Sequence, residues 1–88
     1  MKGVVVIMEE KFERLINELL EIRSPDGSEI DITNTTAGKQ FLEYYNSKDR
    51  DEFKSSLYGR DIDIISDENS PYIECGFSGN SIIKIKAD

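Results

Sequence analysis

The sequence predicts an α+β domain. An N-terminal amphipathic helix and one or two further short helices are expected on one face of a small antiparallel sheet that ends in a three-stranded meander. Three observations carry this expectation. Apolar residues recur at three- and four-residue spacing as far as Arg23, and they alternate with period two from Asp61 onward. Turn-forming residues separate the two regimes. The length of 88 residues suits one domain, and no repeat or low-complexity tract interrupts it.

The first helix is expected over Glu9 to Arg23, where Phe12, Leu15, Ile16, Leu19, Leu20 and Ile22 form one apolar stripe. Glu9, Glu10 and Glu13 crowd its first turns, where the helix dipole favours negative charge, and Ser24-Pro25-Asp26-Gly27 stops it. Upstream, Val4-Val5-Val6-Ile7 supports two expectations. One is a short buried strand, because the run is apolar and β-branched. The other is an extension ahead of a translation start at Met8, since Lys2-Gly3-Val4 can be encoded by a ribosome-binding sequence.

Glu29 to Thr33 alternates with period two and predicts a half-buried strand. Asn34-Thr35-Thr36 supplies N-cap candidates for a helix from Ala37 to about Ser47. Asp49 and Glu52 have capping-box spacing ahead of Phe53 and Leu57, so Ala37 to Leu57 is either two helices or one kinked helix. In the last third, Ile62 and Ile64 share a face of the strand Asp61 to Ile65. Asp67-Glu68-Asn69-Ser70-Pro71 makes a polar turn. Ile73, Cys75 and Phe77 face inward from the next strand, and Gly79-Asn80 reads as a two-residue hairpin turn. Ile83 and Ile85 face inward from the final strand, Ser81 to Ala87.

Composition excludes several chemistries. The chain has no His, so it offers no imidazole base, no nucleophile–His dyad and no His-ligated metal. A single Cys precludes an intrachain disulfide and a zinc–thiolate cluster, and suits a reducing, cytoplasmic setting. Lys and Arg total 11 against 18 Asp and Glu, a net charge of −7, which argues against direct binding of nucleic acid or an anionic membrane. No apolar run approaches the roughly 20 residues needed to span a bilayer.

Candidate sites are few. Gly38-Lys39 resembles the end of a phosphate loop, but no Gly lies five residues earlier and Gln40 stands where Ser or Thr would bind magnesium. The Thr35-Thr36 helix start is left as capping or as a single-anion site. Asp61, Asp63, Asp67 and Glu68 lack a Gly at the sixth position and a Glu at the twelfth, as a calcium loop requires. If the last strand runs beside the Asp61 strand, Lys84 and Lys86 would pair with Asp61 and Asp63. Cys75 reads as a small core hydrophobe. Tyr44 and Tyr45 are adjacent in a helix and cannot share one facing, so one of them, with Tyr58 and Tyr72, is a candidate exposed aromatic.

Charge distribution is the most informative feature. Ser24 to Gly38 carries three acids and no base, and Asp61 to Asn80 carries five acids and no base. The expected function is non-catalytic: binding and inhibiting a basic protein by occluding its groove. A nuclease or other nucleic-acid-handling enzyme is the expected partner class, as for a toxin immunity protein, an antitoxin or a phage-encoded inhibitor. Contacts are expected from Asp61, Asp63, Asp67 and Glu68, with Tyr72 as anchor and no cofactor or metal. The alternatives are a structural or adaptor domain acting through homodimerisation, and a small-anion or nucleotide-binding module at the Thr35-Thr36 helix start.

Overall fold

Periodicity and turn chemistry translate into seven elements in a computed structural model, which describes residues 3–67, 69–79 and 81–87, with side chains from residue 12 onward. Helix α1 spans Gly3–Ile22, strand β1 Glu29–Asp31, α2 Thr36–Tyr45, α3 Arg50–Gly59, β2 Ile62–Ile64, β3 Tyr72–Phe77 and β4 Ile82–Lys86. The architecture is α+β, as expected: three helices against a four-stranded sheet of order β1-β4-β3-β2.

Helix α1 begins earlier than its cluster of acidic residues suggests. Its backbone is helical from Gly3, which overturns the strand expected over Val4 to Ile7. No Gly or Pro lies between Val4 and Ile22, and propagating an existing helix through valine costs only about 0.7 kcal/mol or less per residue. Glu9, Glu10 and Glu13 therefore lie in the helix interior rather than in its first turn. Phe12, Leu15, Ile16 and Leu19 form the buried stripe.

The middle of the chain is two helices. Thr35 caps α2: its Oγ1 accepts from the Gly38 amide at 3.0 Å and donates to the Ile32 carbonyl at 2.7 Å. The expected Asp49–Glu52 capping box does not form. Asp49 occupies the N-cap place of α3, but its backbone is not extended and its side chain makes no capping hydrogen bond. An aromatic cluster joins the helices, with ring centroids 5.4 Å apart for Phe12–Phe53 and 5.0 Å for Phe41–Phe53. Tyr44 meets Phe12 edge-on at 5.0 Å, and Tyr45 stacks on Phe41 at 6.0 Å, so both tyrosines are half-buried against the core.

Strands β2, β3 and β4 form the expected antiparallel meander. The sheet as a whole is mixed, because β1 joins the far side of β4 in parallel, Ile30 opposite Ile83. Local alternation could mark β1 as a strand, but its partner lies some fifty residues away and nothing in the period encodes direction. The β3–β4 register pairs Gly76 with Ile82, and the Phe77 amide donates to the Ser81 carbonyl. The connection is therefore 78–80 around Gly79 (φ 94°), three residues rather than the two-residue turn expected; Asn80 lies outside the described residues.

Pleating then decides what each face holds. Ile62, Ile73, Cys75, Phe77, Ile83 and Ile85 face the helices and are buried with Leu19, Phe41, Phe53 and Leu57. Each fully buried side chain of this size contributes about 1.5–3 kcal/mol. The opposite face carries Asp63, Tyr72, Glu74, Gly76, Ile82, Lys84 and Lys86, every one exposed or half-buried.

Candidate functional site

The end of α3 and the start of β2 build the most distinctive part of the uncovered face. Helix α3 closes with the Arg60 amide on the Leu57 carbonyl at 3.0 Å and the Asp61 amide on the Tyr58 carbonyl at 3.1 Å. Asp61 takes φ 63°, the left-handed conformation that a glycine or asparagine usually supplies just past a helix end. The chain then enters β2, where Asp63 sits opposite Gly76 on the outer face. Ile65 continues that alternation, and its methyl groups lie 3.6 Å from where a Gly76 side chain would begin.

The result is a groove of about 480 Å³ lined by Tyr58, Ile65, Gly76 and Ile82, with Asp61 and Asp63 along it. Tyr58 and Ile65 are 47% and 50% exposed, the large hydrophobic side chains left open to solvent among the described residues. Exposed apolar side chains gathered in one rimmed depression mark interaction surfaces more than isolated ones do.

The pairing expected between Asp61 or Asp63 and Lys84 or Lys86 is not made. β3 lies between β2 and β4, so the lysines face other partners. Lys84 reaches Glu29 at 3.7 Å and lies 4.8 Å from the centre of the Tyr72 ring. The other ion pair among the described residues is Arg60–Glu13 at 2.9 Å, which ties the end of α3 to α1. The two groove aspartates are thus left without a described counter-ion.

The remaining candidate residues are distributed differently. Asp67 is exposed in the β2–β3 turn, where its Oδ1 accepts from the Asn69 amide at 3.2 Å. Glu68 lies outside the described residues. Tyr72 is half-buried at the opposite end of β3 from Gly76, with its ring covered by Lys84. Asp61 and Asp63 therefore come together, while Tyr72 stands at the far end of the same sheet face and Asp67 in the turn that precedes it. Sequence reasoning singled out Tyr58 as a candidate exposed aromatic but missed Ile65 and Ile82. The signal for Ile65 was present, since a period of two places residue 65 with residues 61 and 63.

Other candidates resolve structurally. The Thr35 hydroxyl accepts from the Gly38 amide at the α2 start, so Thr35 acts as the N-cap. Cys75 is fully buried, and burial pushes its thiol up to about 12, which leaves it protonated at neutral pH. No three His, Cys, Asp or Glu side chains converge as metal ligands would, and no helix is long and apolar enough to cross a membrane, among the described residues. Comparison with protein-family models, with curated proteins and with solved structures finds no match for this chain.

Proposed function

We propose that this chain is a non-catalytic binding protein that inhibits a basic protein partner by laying its uncovered sheet face across the partner's active groove. A nuclease or another enzyme that handles nucleic acid is the partner class, because its substrate channel is itself cationic. The observation that carries this reading is the groove: exposed Tyr58 and Ile65 beside two carboxylates without a described counter-ion, Asp61 and Asp63. Apolar anchors supply desolvated contact area, while a net charge of −7 speeds encounter with a cationic surface. Tyr72 on the same face and Asp67 in the adjoining turn supply the outer contacts of this reading.

The test begins with affinity purification from the source cells and continues with the purified partner. The association rate is measured against salt for the parent chain and for Asp61→Asn/Asp63→Asn. The expected result is slower association of the double variant at low salt, with the deficit shrinking as salt rises, and loss of the partner's activity on one-to-one binding by the parent chain. Equal rates and equal salt slopes for the two chains, or a partner that stays fully active when bound, would overturn the reading.

A further inference from the structure

We infer that the groove between α3 and β2 is a subsite for an arginine side chain, presented by the basic partner proposed above. The inference rests on that reading and deepens it, naming the one side-chain chemistry the groove suits. Three features converge on it. Asp61 and Asp63 both line the groove, and neither is paired to a described cation. Tyr58, nearly half exposed, lines the groove with an aromatic ring. Ile65, whose methyl groups lie over Gly76, and Ile82 add apolar wall to the same groove, against which the flat face of a guanidinium can lie.

A guanidinium fits this combination better than an ammonium does. It is planar, directs five N–H donors in a fixed fork, and can address two carboxylates at once. It is also weakly hydrated and stacks on aromatic rings, which suits a groove whose walls are partly apolar. A lysine ammonium is a strongly hydrated point charge and uses neither the ring nor the apolar walls well. A purely apolar occupant would leave the two carboxylates facing a dehydrated surface.

Asp61 adds a local consideration. It holds the left-handed conformation at φ 63° and places a carboxylate just past the C-terminal end of α3, where the helix dipole disfavours negative charge. Glycine or asparagine would suit the backbone better there.

Amide chemical shifts of the isotopically labelled full chain test this at constant ionic strength. The probes are acetyl-arginine-amide, acetyl-lysine-amide, acetyl-citrulline-amide and acetyl-phenylalanine-amide. Arginine is expected to give saturable shifts at Asp63, Gly76 and Ser78 in the millimolar range, with lysine roughly fivefold weaker and citrulline without saturation. Asp61→Asn/Asp63→Asn should abolish the saturable arginine shifts while melting no lower than the parent, since Asn suits the left-handed position. Equal response to arginine and lysine, shifts spread over the whole acidic surface, or tighter binding of the phenylalanine probe would overturn the subsite. A chain that keeps its salt-dependent partner association but fails to discriminate arginine loses the subsite alone. A chain that discriminates arginine while its partner association ignores both aspartates loses the inhibitory reading alone.

Discussion

At the scale of single residues, Gly38 carries the tightest steric constraint in the domain. A Cβ there would stand 1.9 Å from the Ile32 carbonyl oxygen, in the backbone segment that leads from β1 to α2. The obstacle is main chain rather than a flexible side chain, and the same turn is fixed by Thr35 bonding to both Ile32 and Gly38. Gly38→Ala should therefore destabilise by about 3 kcal/mol, despite alanine's higher helix propensity, because α2 must lift off the strand end. Urea unfolding midpoints check this, and a neutral or stabilising alanine would contradict the close approach. Cys75 makes a different point. With no exposed surface and a thiol pushed up to about 12 by burial, it should react with a thiol reagent only when the domain opens. Its labelling rate should rise with urea in step with unfolding; rapid labelling without denaturant would place the thiol outside the core.

At the scale of elements, the turn between α1 and β1 is organised by Asp26. Its carboxylate accepts hydrogen bonds from the Ser24 and Ser28 hydroxyls and from the Ser28 amide, which hold it down at about 2. An unfolded aspartate titrates near 3.9, so between about pH 4 and pH 2 the unfolded chain binds the proton more readily than the folded one. The contribution of this group is fully present above that window and is lost as pH falls through it. The stability difference between the parent and Asp26→Asn should accordingly be flat above pH 4 and shift against the parent below it, as read by urea unfolding at stepped pH. A difference that does not change across the window would mean the carboxylate has no such partners in solution. Elements were the most legible part of the sequence, because period and punctuation are local properties. The stripe from Phe12 to Leu19, the Thr35 cap and the inward set Ile73, Cys75 and Phe77 could all be read from spacing. The parallel pairing of β1 with β4 could not, since it joins segments some fifty residues apart. The same gap explains the misassigned lysines: Lys84 belongs to Glu29 because β3 stands between β2 and β4, a strand order that local alternation does not encode. The groove was half legible, its acids from composition and Ile65 from alternation, while Ile82 enters only through the β3–β4 register.

For the whole molecule, charge and architecture act on two equilibria in opposite directions. Eighteen acidic residues face eleven basic ones, and ion pairs such as Arg60–Glu13 and Lys84–Glu29, each taking one acid and one base, leave the excess of acids unchanged. A net charge of −7 on so small a domain repels itself, and the folded state concentrates that charge more than the unfolded chain does. Salt shortens the screening length from about 30 Å at 0.01 M to about 8 Å at 0.15 M, the latter well inside the domain's dimensions. Added sodium chloride in this range should therefore raise the melting temperature of the isolated chain. The same screening should weaken capture of a cationic partner, because attraction between the acidic sheet face and a basic groove acts through the same solvent. Thermal melts and association rates measured across one salt series thus carry opposite signs if electrostatics governs both. Were binding instead governed by Tyr58 and Ile65 alone, as in apolar self-association, association would be flat or would strengthen with salt while the melting temperature still rose. A melting temperature that fell with salt over this range would mean that attractive pairs outweigh self-repulsion in the fold. The charge excess would then have to be balanced by contacts on the surface itself rather than held open for a partner.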